Sequence, residues 1–401
     1  MLPSLTVGHA SVDAIQGALR ADALDGWLLY DFRGLNPIAT AITGVSQRTG
    51  HMATRRWFYL IPAHGAPSAL VHAIEPDTLS HLPGSTVRYT GRDTLEAGLQ
   101  QMLTGCRHVA MEYSPACNIP YVARVDAGTV ELVRRCGPEV RSSADLVQRF
   151  TAVWTADQTM THQTASKALH AIKDRAFAVI AQRVRDGVPL TEFDVQQQMV
   201  TWFAEAGLVS DSAPVVAADG NAGNPHYLPS SGHHAPIAAG SLVLLDLWGK
   251  LQTPGAVYAD ITWVGVVASS APEPQARAFA AITQARDAAV ALVETRTAQG
   301  RETHGWEVDR TAQTVLREAG YGDAILHRTG HSLGESVHGL GANMDDYETH
   351  DDRRLLPGTA FTIEPGLYFA DFGVRTEINM IVGTDRASVT GPRQNALLTL
   401  L

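Results

Sequence analysis

The chain has 401 residues, 45% of them hydrophobic and 18% charged, with a formal net charge of −10. This is the make-up of an ordinary globular protein with room for two domains, and it lacks the basic surplus that a nucleic-acid partner requires. No apolar run reaches the roughly 18 residues of a membrane span, and Met1–Thr6 has neither the charged nor the apolar region of a signal peptide.

Residues 1–155 read as the smaller domain, of mixed α/β type. The pattern predicts a helix at Ser11–Ala23 and a strand at Leu24–Phe32. Strands at Arg56–Ile61 and Ser68–Ala73 flank a turn at Pro62–Pro67, and two more are expected at Arg107–Tyr113 and Thr129–Val133. Phe150–Thr164 is expected to lead into a second domain, 156–401. The three cysteines, Cys106, Cys117 and Cys136, are odd in number and lack zinc-finger spacing, which fits a reducing cytoplasm.

The second domain repeats itself. Gly187, Phe193, Val195, Ala206 and Gly207 match Gly300, Trp306, Val308, Ala319 and Gly320 at an offset of 113. In each copy an aromatic and a Val enter a helix that stops at Ala-Gly, where glycine can take the left-handed C-terminal conformation. Thr191 with Asp194 resembles a capping box. Longer amphipathic segments precede each, near 165–185 and 275–295. Each copy ends in a strand pair: Ser241–Trp248 with Val257–Ile261, then Phe361–Gly366 with Val374–Ile378. The expected result is one ancestral unit used twice, its strands joined into a shared sheet with helices outside.

The strand pairs carry carboxylates at matching places. Asp246 and Asp260 are 260 − 246 = 14 apart; Glu364 and Glu377 are 377 − 364 = 13 apart. A carboxylate on a buried strand is costly unless paired or bound to a cation. Four of them suggest a metal pair held between two half-domains. Residues 327–341 add His327, His331 and His338 among glycines, and His226 stands between prolines at 225 and 229. Hard oxygen ligands with one imidazole suit Mn, Fe(II), Co or Zn.

Asp246, Asp260 followed by Ile-Thr, His327-x-Thr-Gly-His331, Thr362-Ile-Glu364-Pro-Gly-x-Tyr368 and Gly373-Val-Arg375-x-Glu377 together resemble the pita-bread metallopeptidases, which include methionine aminopeptidase, aminopeptidase P and prolidase. The resemblance covers residues 160–401. The first 155 residues are similar, more loosely, to the N-terminal domain of aminopeptidase P, prolidase and creatinase, which points to the proline-specific branch. It implies an α+β, pita-bread catalytic domain with a pseudo-twofold repeat, two divalent ions (Mn2+, Zn2+ or Co2+), and a cytoplasmic homodimer acting on small Xaa-Pro peptides.

The resemblance also implies roles. Asp260 and Glu377 bridge the two ions, Asp246 completes one, and His331 with Glu364 completes the other. A hydroxide shared by the ions is the nucleophile, with Glu364 as proton acceptor. His338 contacts the oxygen where charge develops, and His226 approaches the scissile nitrogen. Arg375 orients carboxylates and, with Tyr368 and Arg353, faces the substrate. Arg353 is the candidate cation for a dipeptide's carboxylate, or else it balances Asp351 on a solvated loop. The chain departs from the family at Ser332 and Gly339, which follow the two histidines, and by three extra residues between Asp246 and Asp260.

Xaa-Pro dipeptidase is the expected activity, with an aminopeptidase P-type enzyme as the alternative. Two other readings compete. Gly330-His-Ser332-Leu-Gly334 fits the nucleophile elbow of serine hydrolases, which needs a strand before it and a helix after it. A pita-bread protein that only binds partners would lose ligands, and all five are present here.

Overall fold

The computed structural model describes residues 6–7, 10–45 and 53–401; most of the Met1–Thr6 segment lies outside them. The chain divides into two compact units, Met1–Thr151 and Ala152–Leu401.

The first unit runs β1 (Thr6–Val7), β2 (Ala10–Ser11), α1 (Val12–Ala21), β3 (Gly26–Asp31), α2 (Pro37–Ile42), β4 (Trp57–Pro62), β5 (Ser68–His72), β6 (Ser85–Tyr89), α3 (Arg92–Met102), β7 (His108–Met111), α4 (Ala127–Arg135), β8 (Glu139–Ser142) and α5 (Ala144–Thr151). Among the described residues, β6-β5-β4-β3-β7-β8 form a mixed sheet in that order. The predicted helix and the hairpin about Pro62–Pro67 are found. Thr129–Val133, expected as a strand, is helical. Asp126 caps it by accepting the Thr129 N–H at 2.8 Å, and Thr129, Val130, Leu132 and Val133 are buried at helical spacing.

The second unit runs α6 (Ala156–Arg185), α7 (Glu192–Glu205), β9 (Leu208–Val209), β10 (Val215–Ala218), β11 (Leu242–Leu251), β12 (Ala259–Val266), α8 (Glu273–Ala298), α9 (Gly305–Glu318), β13 (Ser332–Leu333), β14 (Ala360–Ile363), β15 (Gly366–Tyr368), β16 (Gly373–Arg375), β17 (Ile378–Val382), β18 (Ala387–Thr390) and β19 (Leu398–Thr399). Helix α6 begins inside the expected connector because Thr155 and Gln158 form a capping box. The repeat is plain: α6, α7 and β11–β12 answer α8, α9 and β14–β17. All four repeat glycines take the left-handed conformation: Gly187, Gly207, Gly300 and Gly320 have φ of 67°, 66°, 63° and 87°. The expected Thr191–Asp194 capping box is present.

The shared sheet is replaced by two. The order β10-β11-β12-β19 makes one, and β13-β14-β17-β18 the other. A continuous ladder does not form because the Asn379 side chain takes the pairing groups of Asp260. Its Oδ1 accepts the Asp260 N–H at 3.0 Å, and its Nδ2 donates to the Asp260 carbonyl. Backbone bonds from Glu377 N–H to Thr262 O at 3.2 Å and from Tyr258 N–H to Gly334 O at 2.9 Å cross between the halves.

Strand alternation decides which faces meet. Val243, Leu245 and Leu247 on β11, with Ala259, Ile261 and Trp263 on β12, pack beneath α6 and α7. Phe361, Ile363, Ile378 and Met380 pack with α8 and α9. Period two then turns Asp246, Asp260 and Thr262 to the opposite face of the first hairpin, and Thr362 and Asn379 to the opposite face of the second. Glu364 and Glu377 continue that polar face just beyond the strand ends.

Candidate metal centre

Register places the first pair. Asp246 on β11 pairs with Thr262 on β12, two residues beyond Asp260 on the same face. From the second half come Glu364, just after β14, and Glu377, between β16 and β17. His331 enters just before β13, where its N–H bonds Thr362 Oγ1 at 3.0 Å. Gly330 makes this entry possible: a Cβ there would fall 2.0 Å from the Thr362 carbonyl.

Asp260, His331 and Glu377 each present a ligand atom within 4.8 Å of the others, and all three are buried. His331 Nδ1 hydrogen-bonds the Ser332 carbonyl at 3.2 Å, leaving Nε2 toward the acids. That Nε2 lies 3.6 Å from Asp260 Oδ2 and 3.4 Å from Glu364 Oε1. Asp246 is tied to Arg375 Nη2. Buried Oδ1 of Asp260 and Oε1 of Glu377 have no hydrogen-bond partner.

Crowded, dry carboxylates repel. Burial, then the charges of Asp246 and Glu364, push the Asp260 carboxyl well above the ordinary range. Burial, then Asp260 and Glu364, do the same to Glu377. Asp246 is raised by burial against the pull of Arg375. Burial also acts upward on Glu364, but His331, His327 and Arg375 outweigh it and hold it low. Unpartnered acceptor oxygens and mutual repulsion are what a cation would relieve, so this donor set fits divalent metal ions.

Arg375 is the hub of the surrounding shell. Its Nε donates to Thr262 Oγ1 at 3.1 Å, its Nη1 to Tyr368 Oη at 2.9 Å and its Nη2 to Asp246. Thr262 Oγ1 in turn donates to Glu377 Oε2 at 2.8 Å. Tyr368 Oη also meets His327 Nε2 at 2.7 Å. Arg375 and Tyr368 thus face partners inside the protein.

The other predicted residues divide. The His338 ring stands edge-on to His331, with centroids 4.3 Å apart, and is exposed. His226 is exposed on the loop after β10, its N–H bonded to Asn224 Oδ1 at 3.1 Å.

Arg353 requires a correction. It is 1% exposed, and its fork grips Asp351 through Nε (2.9 Å) and Nη2 (2.6 Å) while Nη1 donates to the Leu340 carbonyl at 2.8 Å. It is neither a surface charge nor free to hold a peptide carboxylate. Arg353→Ala strands the buried Asp351, and we expect it to cost about 3–5 kcal/mol of stability. Rates on dipeptides and tripeptides, measured beside a denaturant titration, should change by the same factor.

The structure also removes the serine-elbow reading of Ser332. This residue is buried, its hydroxyl accepts the Gly341 N–H at 3.0 Å, and it lies in the short strand β13, with no helix after it as the elbow needs. Sequence reasoning passed over Asn379 and Asp309, and gave His327 no role of its own. Asp309, buried on α9, accepts the N–H groups of Thr329 (2.9 Å) and Asp346 (2.6 Å) and so holds the segment that leads to His331. Burial pushes its carboxyl up to about 6 against these hydrogen bonds.

Residues 164–384, more than half of the chain, match the model of metallopeptidase family M24. The chain belongs to that family. Relatives include the putative dipeptidase YkvY of Bacillus subtilis, 27% identical over 253 residues, which is 63% of each chain. The Xaa-Pro dipeptidase of Lactobacillus helveticus is 30% identical over 216 residues, 53% of each. The chain spans about half to 63% of the length of the curated relatives it matches. Among solved structures, dipeptidase PepE from Mycobacterium ulcerans superposes with a TM-score of 0.66 at 22% identity, covering 97% of this chain and 96% of that one. The prolidase from Pyrococcus horikoshii OT3 gives 0.56 at 20% identity, covering 96% and 99%. These likenesses establish the pita-bread fold. Among the described residues no helix is long and apolar enough to cross a membrane.

Proposed function

We propose that the protein hydrolyses the peptide bond before proline, in dipeptides first, with residues 152–401 as the catalytic domain. The observation that carries the reading is the buried Asp260–His331–Glu377 cluster, with two carboxylate oxygens lacking any partner. Asp246, Asp260, His331, Glu364 and Glu377 would hold two divalent ions, Mn2+, Zn2+ or Co2+. With the four acids ionised, they and the one guanidinium would sum to −4 + 1 = −3, more than one divalent ion neutralises. Such ions supply Lewis-acid chemistry, lowering the pKa of water and polarising a carbonyl.

The chain's own groups do the rest. Glu364, held low and 3.4 Å from His331, accepts the proton of the attacking water. His338, exposed beside His331, donates to the carbonyl oxygen as it gains charge. His226 serves the scissile nitrogen. Arg375 and Thr262 hold Asp246 and Glu377 in place.

Its Xaa-Pro dipeptidase relatives support the substrate class. A second reading, an Xaa-Pro aminopeptidase on longer peptides, is favoured by one observation: Arg353 is locked and cannot select a dipeptide by its carboxylate. The reading includes a cytoplasmic homodimer, which gel filtration tests. The deciding experiment is hydrolysis of Ala-Pro, Leu-Pro and a Xaa-Pro-Xaa tripeptide by metal-stripped protein, each ion restored in turn. Ion-dependent cleavage of Ala-Pro above the tripeptide is expected. The reverse order selects the aminopeptidase, and no cleavage with any ion removes both.

A further inference from the structure

We propose that Glu192 is a positioning residue for the reaction, clamping both ends of the loop that carries His226. This rests on the reading of His226 given above. Glu192 is the first residue of α7, and it is fully buried. Its carboxylate accepts the N–H groups of Ala218 and Ala235, each at 2.6 Å. It also accepts from Asn221 Nδ2 at 3.0 and 3.1 Å and from Tyr227 Oη at 2.5 Å. Ala218 ends β10 and Ala235 lies beyond the loop, so one side chain ties the start, the middle and the end of a segment that has little regular structure. Tyr227 is the neighbour of His226.

The loop is also pressed against the site. A Cβ on Gly223 would lie 2.2 Å from the Phe369 carbonyl, and one on Gly373 would lie 1.9 Å from the Ala222 carbonyl. The backbone at 222–223 therefore packs directly on the β15–β16 hairpin, which presents Tyr368 and Arg375. Asp219, at the loop's start, holds a left-handed φ of 49°, and its Oδ1 accepts the Leu242 N–H at 2.8 Å. A non-glycine residue in that region persists only when its surroundings hold it there.

The other copy of the unit folds without a carboxyl at this helix position. At the offset of 113 the counterpart of Glu192 is Gly305, where a Cβ would meet the Asn343 carbonyl at 1.9 Å. The second copy uses Asp309, one turn further along its helix, to hold the segment before His331. In each half a buried acid on the second helix thus fixes the loop that brings in a histidine.

The test uses metal-loaded protein and Ala-Pro, comparing Glu192→Gln, Tyr227→Phe, His226→Ala and the Glu192→Gln/His226→Ala double variant. Each is read for kcat, KM, bound metal and amide exchange of residues 218–235. Glu192→Gln should lower kcat by about 10- to 100-fold, since small misplacements of reacting groups cost that much. KM and metal content should hold, and the loop amides should exchange faster. Tyr227→Phe removes one tie at constant shape and should lower kcat about 3- to 10-fold. It decides the matter if Glu192→Gln does not fold. The double variant should be no slower than His226→Ala alone. Additive losses overturn the proposal, as does unchanged loop exchange. If His226→Ala is as fast as wild type, or nothing cleaves Ala-Pro, the reading of His226 or of the substrate has failed. Exchange at 218–235 then decides Glu192 alone: faster supports the clamp, unchanged rejects it.

Discussion

Replacing Asp260 or Glu377 by alanine should abolish both turnover and the binding of divalent ions. Each contributes a buried oxygen with no partner inside the protein, so neither is satisfied by the fold alone. Each also sits where the two hairpins meet, within reach of His331 Nε2 or of Thr262. Elemental analysis of purified variants and a peptide assay check this together. Retained turnover with bound metal in either variant would remove the residue from the centre. Stability should move the other way. Burial and neighbouring acids raise the folded carboxyl of Asp260 above its unfolded value. Its contribution to metal-free protein is therefore fully present below the unfolded pKa and lost as pH rises through the folded one. At neutral pH, metal-free Asp260→Asn should melt above metal-free wild type, because one of the crowded charges is gone. A lower melting temperature there would mean that the acids are balanced by something other than a bound cation.

Arg375→Ala should have the next greatest consequence. The guanidinium is 5% exposed and is the fixed cation nearest the four acids, touching Asp246, Thr262 and Tyr368 and lying 3.9 Å from Glu364. Removing it leaves Asp246 buried against like charges and Tyr368 short of a donor. Breaking a buried pair in this way costs about 3–5 kcal/mol. Loss of groups that orient metal ligands costs about 10- to 100-fold in affinity or rate. Arg375→Lys keeps the charge but cannot reach three partners from one fork, so it should recover stability better than it recovers rate. Denaturant titration and a metal-binding isotherm separate the two effects. Wild-type affinity in Arg375→Ala would reduce the residue to an ordinary core cation.

Much of this was legible in the residues, for a definite reason. The repeat at offset 113 is carried by local signals: glycines at helix ends, the Thr191–Asp194 cap, and alternation along strands. Each of these acts within a few residues, so each leaves its mark in the sequence. The four candidate carboxylates were found because buried strand carboxylates are rare enough to stand out, and His331 through the resemblance of its Gly-His setting. What escaped depends on partners far apart along the chain. Asn379 meets Asp260 across 119 positions, and Asp309 meets Asp346 across 37. Nothing around Arg353 signals that it turns inward to Asp351, since Asp-Asp-Arg-Arg reads as a solvated run. Thr129–Val133 misled for the opposite reason. β-branched residues suggested a strand, and a cap at Asp126 with helical spacing of its apolar residues prevailed. The single shared sheet was anticipated from matched hairpins, but one amide side chain at the seam was enough to interrupt it.

The seam itself has a consequence for how the protein comes into being. Asp246 and Asp260 belong to one copy of the unit, and His331, Glu364 and Glu377 to the other. Neither copy alone encloses an ion. During synthesis the first two acids emerge long before the last, so an early cation would find only an open, water-filled pair of oxygens. On the proposed ligand set, selection among competing ions would fall to the finished molecule, and a bound ion would join two segments 377 − 260 = 117 residues apart. Chelation should consequently loosen both halves at once, as a single cooperative event.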